Sequence, residues 1–219
     1  MGIQERKERE KEQRRNEIIK AAEQVFFTKG IENASMDEVA EKAELSKGTL
    51  YLYFKNKEAL HFAICTRGLT ILKSKFEKVI DPSKTMLENL IAIGFAFVSF
   101  SRENNDYFKV MSHFENKEYE FNEEDHIHSE KDDVMIFLVK MIEQGITEGT
   151  FQPDIDPHVI AHVLWAQTTG VLQLMAAKKF HIDDNDFSED DIIMAHFEVV
   201  ANGISWGNQK PDIKKYFKK

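Results

Sequence analysis

The sequence predicts an all-α fold in two parts, a small three-helix head near the amino end and a larger helical body behind it. Three observations carry this. Apolar residues recur at three- and four-residue spacing from Ile18 to Ile204, and no stretch shows strict alternation with β-branched enrichment. Helix-capping patterns punctuate the chain, at Ser35-Met36-Asp37-Glu38, Asp156-Pro157 and Ser188-Glu189-Asp190-Asp191. Finally, a short apolar-faced segment from Met36 to Ala43, a turn of about three residues and a second segment capped by Ser46 make a helix-turn-helix unit.

Taken in order, residues 1–15 form an almost wholly charged extension, in which Glu5 and Arg9, and Glu10 and Arg14, stand at the four-residue spacing that supports a helix. It reads either as a solvated helix end or as an arm in which Arg6, Lys7, Arg9, Arg14 and Arg15 touch a nucleic-acid backbone. Ile18, Ile19, Ala22, Val25 and Phe26 then give a helix that stops at Gly30. Ser35 and Glu38 have the spacing of a capping box, so a second helix begins at Met36, and Ser46 caps a third. Small Ala40 allows the third helix to cross closely, with Val39, Leu45 and Leu50 filling the space between.

What remains on the outer side of that third helix is Lys47, Gly48, Thr49, Tyr51 and Tyr53, followed by Lys55 and Lys57; from Leu45 to Lys57 there are three lysines and no acid. Lysines neutralise phosphates and release counterions, while Thr and Tyr hydroxyls hydrogen-bond phosphate oxygens, and Gly48 permits close approach. The surface suits duplex DNA.

Residues 16–62 resemble the DNA-binding domain of the TetR/AcrR family of transcriptional regulators. The resemblance rests on Ile18-Ile19-x-Ala21-Ala22-x-x-x-Phe26-x-x-x-Gly30, on Ser35-Met36-Asp37-Glu38-Val39-Ala40, on Leu45-Ser46-Lys47-Gly48-Thr49-Leu50-Tyr51-x-Tyr53-Phe54 and on Lys55-Asn56-Lys57-Glu58-x-Leu60. The expected DNA contact set is Ser35, Ser46, Lys47, Gly48, Thr49, Tyr51, Tyr53, Lys55 and Lys57, and the resemblance implies Ser35, Tyr51 and Tyr53 on phosphates and Lys47, Gly48 and Thr49 nearest base edges. Glu44 departs from the pattern, because the family usually places Gly in that left-handed turn. A non-Gly residue there costs about 1 to 2 kcal/mol.

The chain carries 29 basic and 38 acidic side chains, net −9. That acidity belongs to the body: residues 1–60 hold twelve of each sign. Because screening limits attraction to about 10 Å at ordinary salt, a local lysine cluster acts independently of the acidic remainder. Cys65 is the only cysteine, which excludes an intrachain disulfide and fits a cytoplasmic, nucleoid-associated protein. The amino end is charged and no uninterrupted apolar run approaches about 18 residues, so neither a secretion signal nor a membrane partner is expected.

In the body, residues 63–219, helices are expected at 83–103, 106–116, 128–148, 157–179 and 189–204, the first after the cap-and-proline pair Asp81-Pro82. The acidic 117–126 segment reads as a loop. The 157–179 helix has two apolar stripes, Val159, Val163, Ala166 and Gly170 on one side and Ile160, Leu164, Val171 and Met175 on another. One stripe serves its own core and the other requires a partner. The last helix repeats this with Ile193, Phe197, Val200 and Ile204 beside Ile192 and Val199, so Val163, Ala166, Gly170, Ile193, Phe197, Val200 and Ile204 are the expected homodimer face, and the resemblance also implies a four-helix interface between two copies.

Phe97, Phe108, Met111, Phe114, Met135, Met141, Trp165, Gln167 and Met175 read as ordinary core or as the lining of a cavity for a small lipophilic effector. The resemblance supports the second reading and implies that effector binding releases DNA. His158 and His162, four apart, with His113, His126 and His128 make only a weak metal pattern, and no metal or cofactor is expected. No nucleophile motif or acid–base pair stands out, so no catalytic residue is assigned and the chain does not read as an enzyme. The expected function is a ligand-responsive repressor bound as a dimer to a palindromic double-stranded DNA operator. The alternative is a ligand-independent DNA-bound protein of the same fold that acts through a protein partner.

Overall fold

A computed structural model describes residues 2–115, 134–151, 154–177 and 187–205. Among them lie helices α1 (Ile3–Lys29), α2 (Met36–Lys42), α3 (Lys47–Tyr53), α4 (Lys57–Val79), α5 (Met86–Glu103), α6 (Asn105–Glu115), α7 (Val134–Thr147), α8 (Pro157–Ala176) and α9 (Glu189–Ile204), and no strand. The expected 117–126 loop, like His126, His128 and the first residues of the expected 128–148 helix, falls outside the described residues.

The chain divides into two compact units, Met1–Gly68 with Asn104–Ile127, and Leu69–Glu103 with His128–Lys219. The division falls inside α4, and α6 joins the amino-terminal unit, whereas the sequence reading had placed everything after residue 62 in one body.

In the first unit, Ile18, Ala22 and Phe26 of α1, Val39 and Ala40 of α2, Leu50 of α3 and Leu60 and Ile64 of α4 are buried together. The charged extension is continuous with α1, which ends at Gly30 with φ 75°. Such a left-handed residue suits glycine, and its N–H satisfies the Phe26 carbonyl. Ser35 and Glu38 form the reciprocal capping box. Glu38 also pairs with Lys29, whose ammonium, ahead of the Ser35 amide and hydroxyl, holds the Glu38 carboxyl below its ordinary range. At the other end of α2, Glu44 takes φ 55° without breaking the turn. Its N–H reaches the Glu41 carbonyl at 3.0 Å and the Leu45 N–H reaches Ala40 at 2.9 Å, the paired bonds of a Schellman ending.

Behind the head, Arg67 of α4 donates to Glu23 and Asn16 of α1, each at 2.9 Å, while the Tyr107 hydroxyl of α6 donates to Glu23 at 2.7 Å. Burial, then the Glu23 carboxylate, push the Tyr107 phenol well above its ordinary range, so it remains a neutral donor. A Cβ at Gly68 would stand 2.8 Å from Met111 Sδ, and its absence lets α6 cross α4 closely.

In the second unit α5 is almost wholly apolar and packs against α7, α8 and α9. It begins three residues later than expected. The Asp81 carboxylate accepts from the Ser83 amide and hydroxyl and closes a turn there, while Thr85 and Glu88 exchange the reciprocal bonds of a capping box. Asn89, fully buried, bonds the Asp81 amide and carbonyl and holds that turn. Phe197 of α9 is seated on Gly94 of α5, where an added Cβ would lie 2.2 Å from the ring. By length and composition α8 could cross a membrane, but Ile160, Ala161, Thr168, Thr169, Leu172 and Met175 are buried in this unit.

Candidate nucleic-acid interface

The outer side of α3 follows from its packing. Leu50 is fully buried against the head, which turns Lys47, Gly48, Tyr51 and Leu52 to solvent and leaves Thr49 and Tyr53 half-buried. Ser46 caps the helix: its hydroxyl accepts from the Thr49 amide at 3.1 Å and shares a hydrogen bond with the Thr49 hydroxyl at 2.8 Å. Ser35 is similarly engaged at the start of α2. Lys47 is paired with Asp37 of α2 at 2.5 Å across an exposed surface. Lys55 and Asn56 are exposed between α3 and α4, where the Asn56 side chain caps α4 through the Ala59 amide at 2.8 Å.

Lys57 has a different environment from the other lysines. Its ammonium donates to the carbonyls of Ile31 at 2.8 Å, Ala34 at 3.1 Å and Glu32 at 3.3 Å, so all three hydrogens are engaged by the loop between α1 and α2. Lys57 contributes its charge and fixes α2 relative to α4, without a hydrogen left for a phosphate. Nothing in the local sequence distinguishes it from Lys55, because its partners lie more than twenty residues away.

Two features escaped the sequence reading. Leu52, 85 % exposed, adds an apolar group to the outer surface of α3. The Arg15 guanidinium lies 5.0 Å over the Phe54 ring, joining the charged extension to the end of α3 through a cation–π contact.

In the second unit a cavity of about 50 Å³ is lined by Phe76, Leu90, Phe97, Trp165, Thr168 and Phe197 among others. Phe97 and Trp165 stack with centroids 5.0 Å apart, and among the described residues Thr168 carries the one hydroxyl of the lining, hydrogen-bonded to His196 Nε2 at 3.1 Å. Burial holds the His196 imidazole below its ordinary value. Of the nine residues read as candidate lining, Phe97 and Trp165 reach this cavity. Met135, Met141, Gln167 and Met175 are in the same unit but not on its wall, Phe108 and Met111 belong to the other unit, and the Phe114 side chain is outside the described residues. Leu90, Ile93 and Phe197 were missed because helical periodicity gives an apolar face without saying whether it meets a neighbour or a gap.

The two stripes of α8 separate only in part. Val159 and Val163 are 52 % and 47 % exposed and Ala166 is exposed, Ile160 and Met175 are buried, and Gly170, Leu164 and Val171 are all half-buried. On α9 the expected outward stripe requires correction. Ile193 and Phe197 are only 1 % and 3 % exposed and fill the unit's own core, Val200 and Ile204 are half-buried on the cavity wall, and Val199 is the exposed apolar residue. The seat at Gly94 explains the rotation, since it draws Phe197 inward.

Among the described residues no group of three or more His, Cys, Asp or Glu could hold a metal ion, and His162 Nδ1 meets the His158 carbonyl at 2.7 Å.

The sequence model described as "Bacterial regulatory proteins, tetR family" matches residues 18–64. The chain is 32 % identical over 152 residues to the uncharacterized HTH-type transcriptional regulator YhgD of Bacillus subtilis, covering 69 % of this chain and 78 % of that one. It is 21 % identical over 194 residues to the HTH-type transcriptional repressor KstR2 of Mycolicibacterium smegmatis, covering 88 % and 91 % respectively. Among solved structures it shares its fold with SmeT, the repressor of the Stenotrophomonas maltophilia multidrug efflux pump SmeDEF, with TM-score 0.61, 18 % identity and coverage of 89 % and 91 %.

Proposed function

This chain belongs to the tetR family of bacterial regulatory proteins and is a DNA-binding transcriptional regulator; within that class we propose that it is a homodimeric, ligand-responsive repressor of a palindromic operator, working in the cytoplasm at the nucleoid. The observation that carries the reading is α3, whose outer side bears Lys47, Gly48, Thr49 and Tyr51 while Leu50 anchors it. Lys47, Gly48 and Thr49 meet base edges, and Ser35, Ser46, Tyr51, Tyr53 and Lys55 the phosphates, with Lys57 positioning the head. Two such helices enter successive major grooves about 34 to 36 Å apart. Repression is the sign carried by the names of KstR2 and SmeT.

The partner surface is the α8 stripe of exposed Val159, Val163 and Ala166 with half-buried Gly170, joined by exposed Val199 of α9. Two copies supply the four-helix contact that covers it. The effector is a small, mostly apolar molecule that enters the Phe97–Trp165 cavity, with the Thr168 hydroxyl as its polar contact. At about 50 Å³ the cavity is far below the roughly 300 to 1,000 Å³ of ordinary ligand sites, so the rings must move. A differential affinity of about 1 to 3 kcal/mol between closed and open forms is enough to release DNA.

The same small volume favours a second reading, a ligand-independent regulator of this fold acting through a protein partner. Selection of bound sequences from a random duplex pool separates the two readings when followed by titration of the selected complex with apolar small molecules. A single palindrome released by one compound supports the first. Scattered sites that no compound releases support the second, and sedimentation as a 25.4 kDa monomer removes the dimer.

A further inference from the structure

The head occupies only the second half of α1. Before Ile18 the helix continues to Ile3, and Gly2 to Gln13 are exposed. Thirteen residues separate Arg15 from Gly2, about 20 Å at 1.5 Å per residue, or the length of about six base pairs.

Basic residues occupy both the inner and the outer face of this segment, and most of its acids lie on the flanks. Continuing backward from buried Ile18 and Ile19 at helical spacing, the side of α1 that packs on the head becomes Arg14 and Arg15, then Lys11, then Lys7. Among the described residues Lys7 and Lys11 have neither a hydrogen bond nor an ion pair, Arg14 is paired with Glu17, and Arg15 lies over Phe54 at the end of α3. Glu8, seven residues before Arg15, is the one acid on this face, while Glu5 and Glu12 lie on its flank. The opposite face holds Arg9, Gln13 and Lys20, with Arg6 closed onto Glu10 at 2.9 Å. Here the side that is apolar where the head covers it turns cationic where the head stops, beside the recognition helix.

We propose that Lys7 and Lys11, aligned with Arg15 along the inner face of the α1 extension, form a rail for the phosphodiester backbone of the same duplex, flanking the base pairs that α3 reads. The rail contributes sequence-independent affinity and lengthens the footprint of each half-site. It divides the basic residues of the extension into a contacting pair, Lys7 and Lys11, and an outer set, Arg6 and Arg9, that remains in solvent. This rests on the DNA-binding reading above.

The test is the salt dependence of full-length protein binding to a random-sequence duplex of about four helical turns, by fluorescence anisotropy between about 50 and 200 mM salt. Lys7→Gln/Lys11→Gln is expected to lower the slope of log K against log salt by about two per bound chain. Arg9→Gln/Lys20→Gln removes the same charge from the opposite face and is expected to leave the slope in place, with circular dichroism showing unchanged helix in both. Equal slope changes in the two variants, or no change in either while the wild type binds, overturn the rail. Lost binding to phosphatidylserine vesicles with an unchanged DNA slope overturns it in favour of a membrane surface. Absence of wild-type binding at about 50 mM salt instead sinks the DNA-binding reading, and the rail with it.

Discussion

The Lys57 ammonium donates to the Ala34 carbonyl across 3.1 Å and so ties the first residue of α4 to the residue preceding the cap of α2. With the bonds to Ile31 and Glu32 it satisfies three loop carbonyls. Lys57→Met keeps the stem and removes the donors, and is expected to destabilise the protein by about 1 to 3 kcal/mol, the scale of hydrogen bonds to charged groups. Urea unfolding measures the loss. A variant as stable as the wild type but with a salt slope lower by about one would instead make Lys57 a phosphate ligand.

In the proposed complex Asp37 competes with DNA for Lys47. Their contact is exposed, so it contributes about 0.2 to 1 kcal/mol, and on the proposed interface Lys47 would exchange the carboxylate for the duplex. Asp37→Asn is expected to raise affinity for any duplex up to about five-fold at low salt, the gain fading as salt rises. Unchanged affinity at low salt would show that Lys47 stays with its partner in the complex.

Glu44 keeps a left-handed conformation that costs a side chain about 1 to 2 kcal/mol, partly offset by the entropy glycine loses on folding. Glu44→Gly is expected to stabilise the fold by about 0.5 to 1 kcal/mol with DNA binding unchanged. Denaturant midpoints at constant m-value read this directly, and a lower midpoint would contradict it.

Gly94→Ala places a methyl group inside the Phe197 ring. Overpacking of this kind costs about 1 to 3 kcal/mol, and Phe197→Leu in the same chain is expected to recover most of it. If the double variant is as unstable as the two single changes added together, the seat is not where the strain arises.

His196 is held below its ordinary pKa by burial. As pH falls through about 6.5 the unfolded chain binds a proton before the folded chain does, so stability falls toward acid across the window between the two values. At higher pH both forms are neutral and the dependence vanishes. His196→Gln, which can keep a hydrogen bond to Thr168, is expected to flatten the stability profile below about pH 6.5. A profile parallel to the wild type would assign the slope to another group.

The sequence by itself determined what is written in short-range chemistry. The capping box of Ser35 and Glu38, the Ser46 cap and the stop at Gly30 depend on residues within one helical turn, and they specify the helix-turn-helix and the exposed side of α3; that Glu44 keeps the left-handed turn was shown only by the structure. The four sequence blocks that resemble the family were legible for the same reason. Tertiary structure alone decided how each helix is rotated and which donors meet which acceptors. Both stripes of α9 are apolar, and only the absent Cβ of Gly94, a hundred residues away, turns Phe197 inward and leaves Val199 outside. Lys55 and Lys57 are the same residue type in one basic run, yet three carbonyls in a distant loop take the Lys57 ammonium. Periodicity fixes the presence of an apolar face; its neighbour is fixed by contacts between residues that only the folded chain brings together.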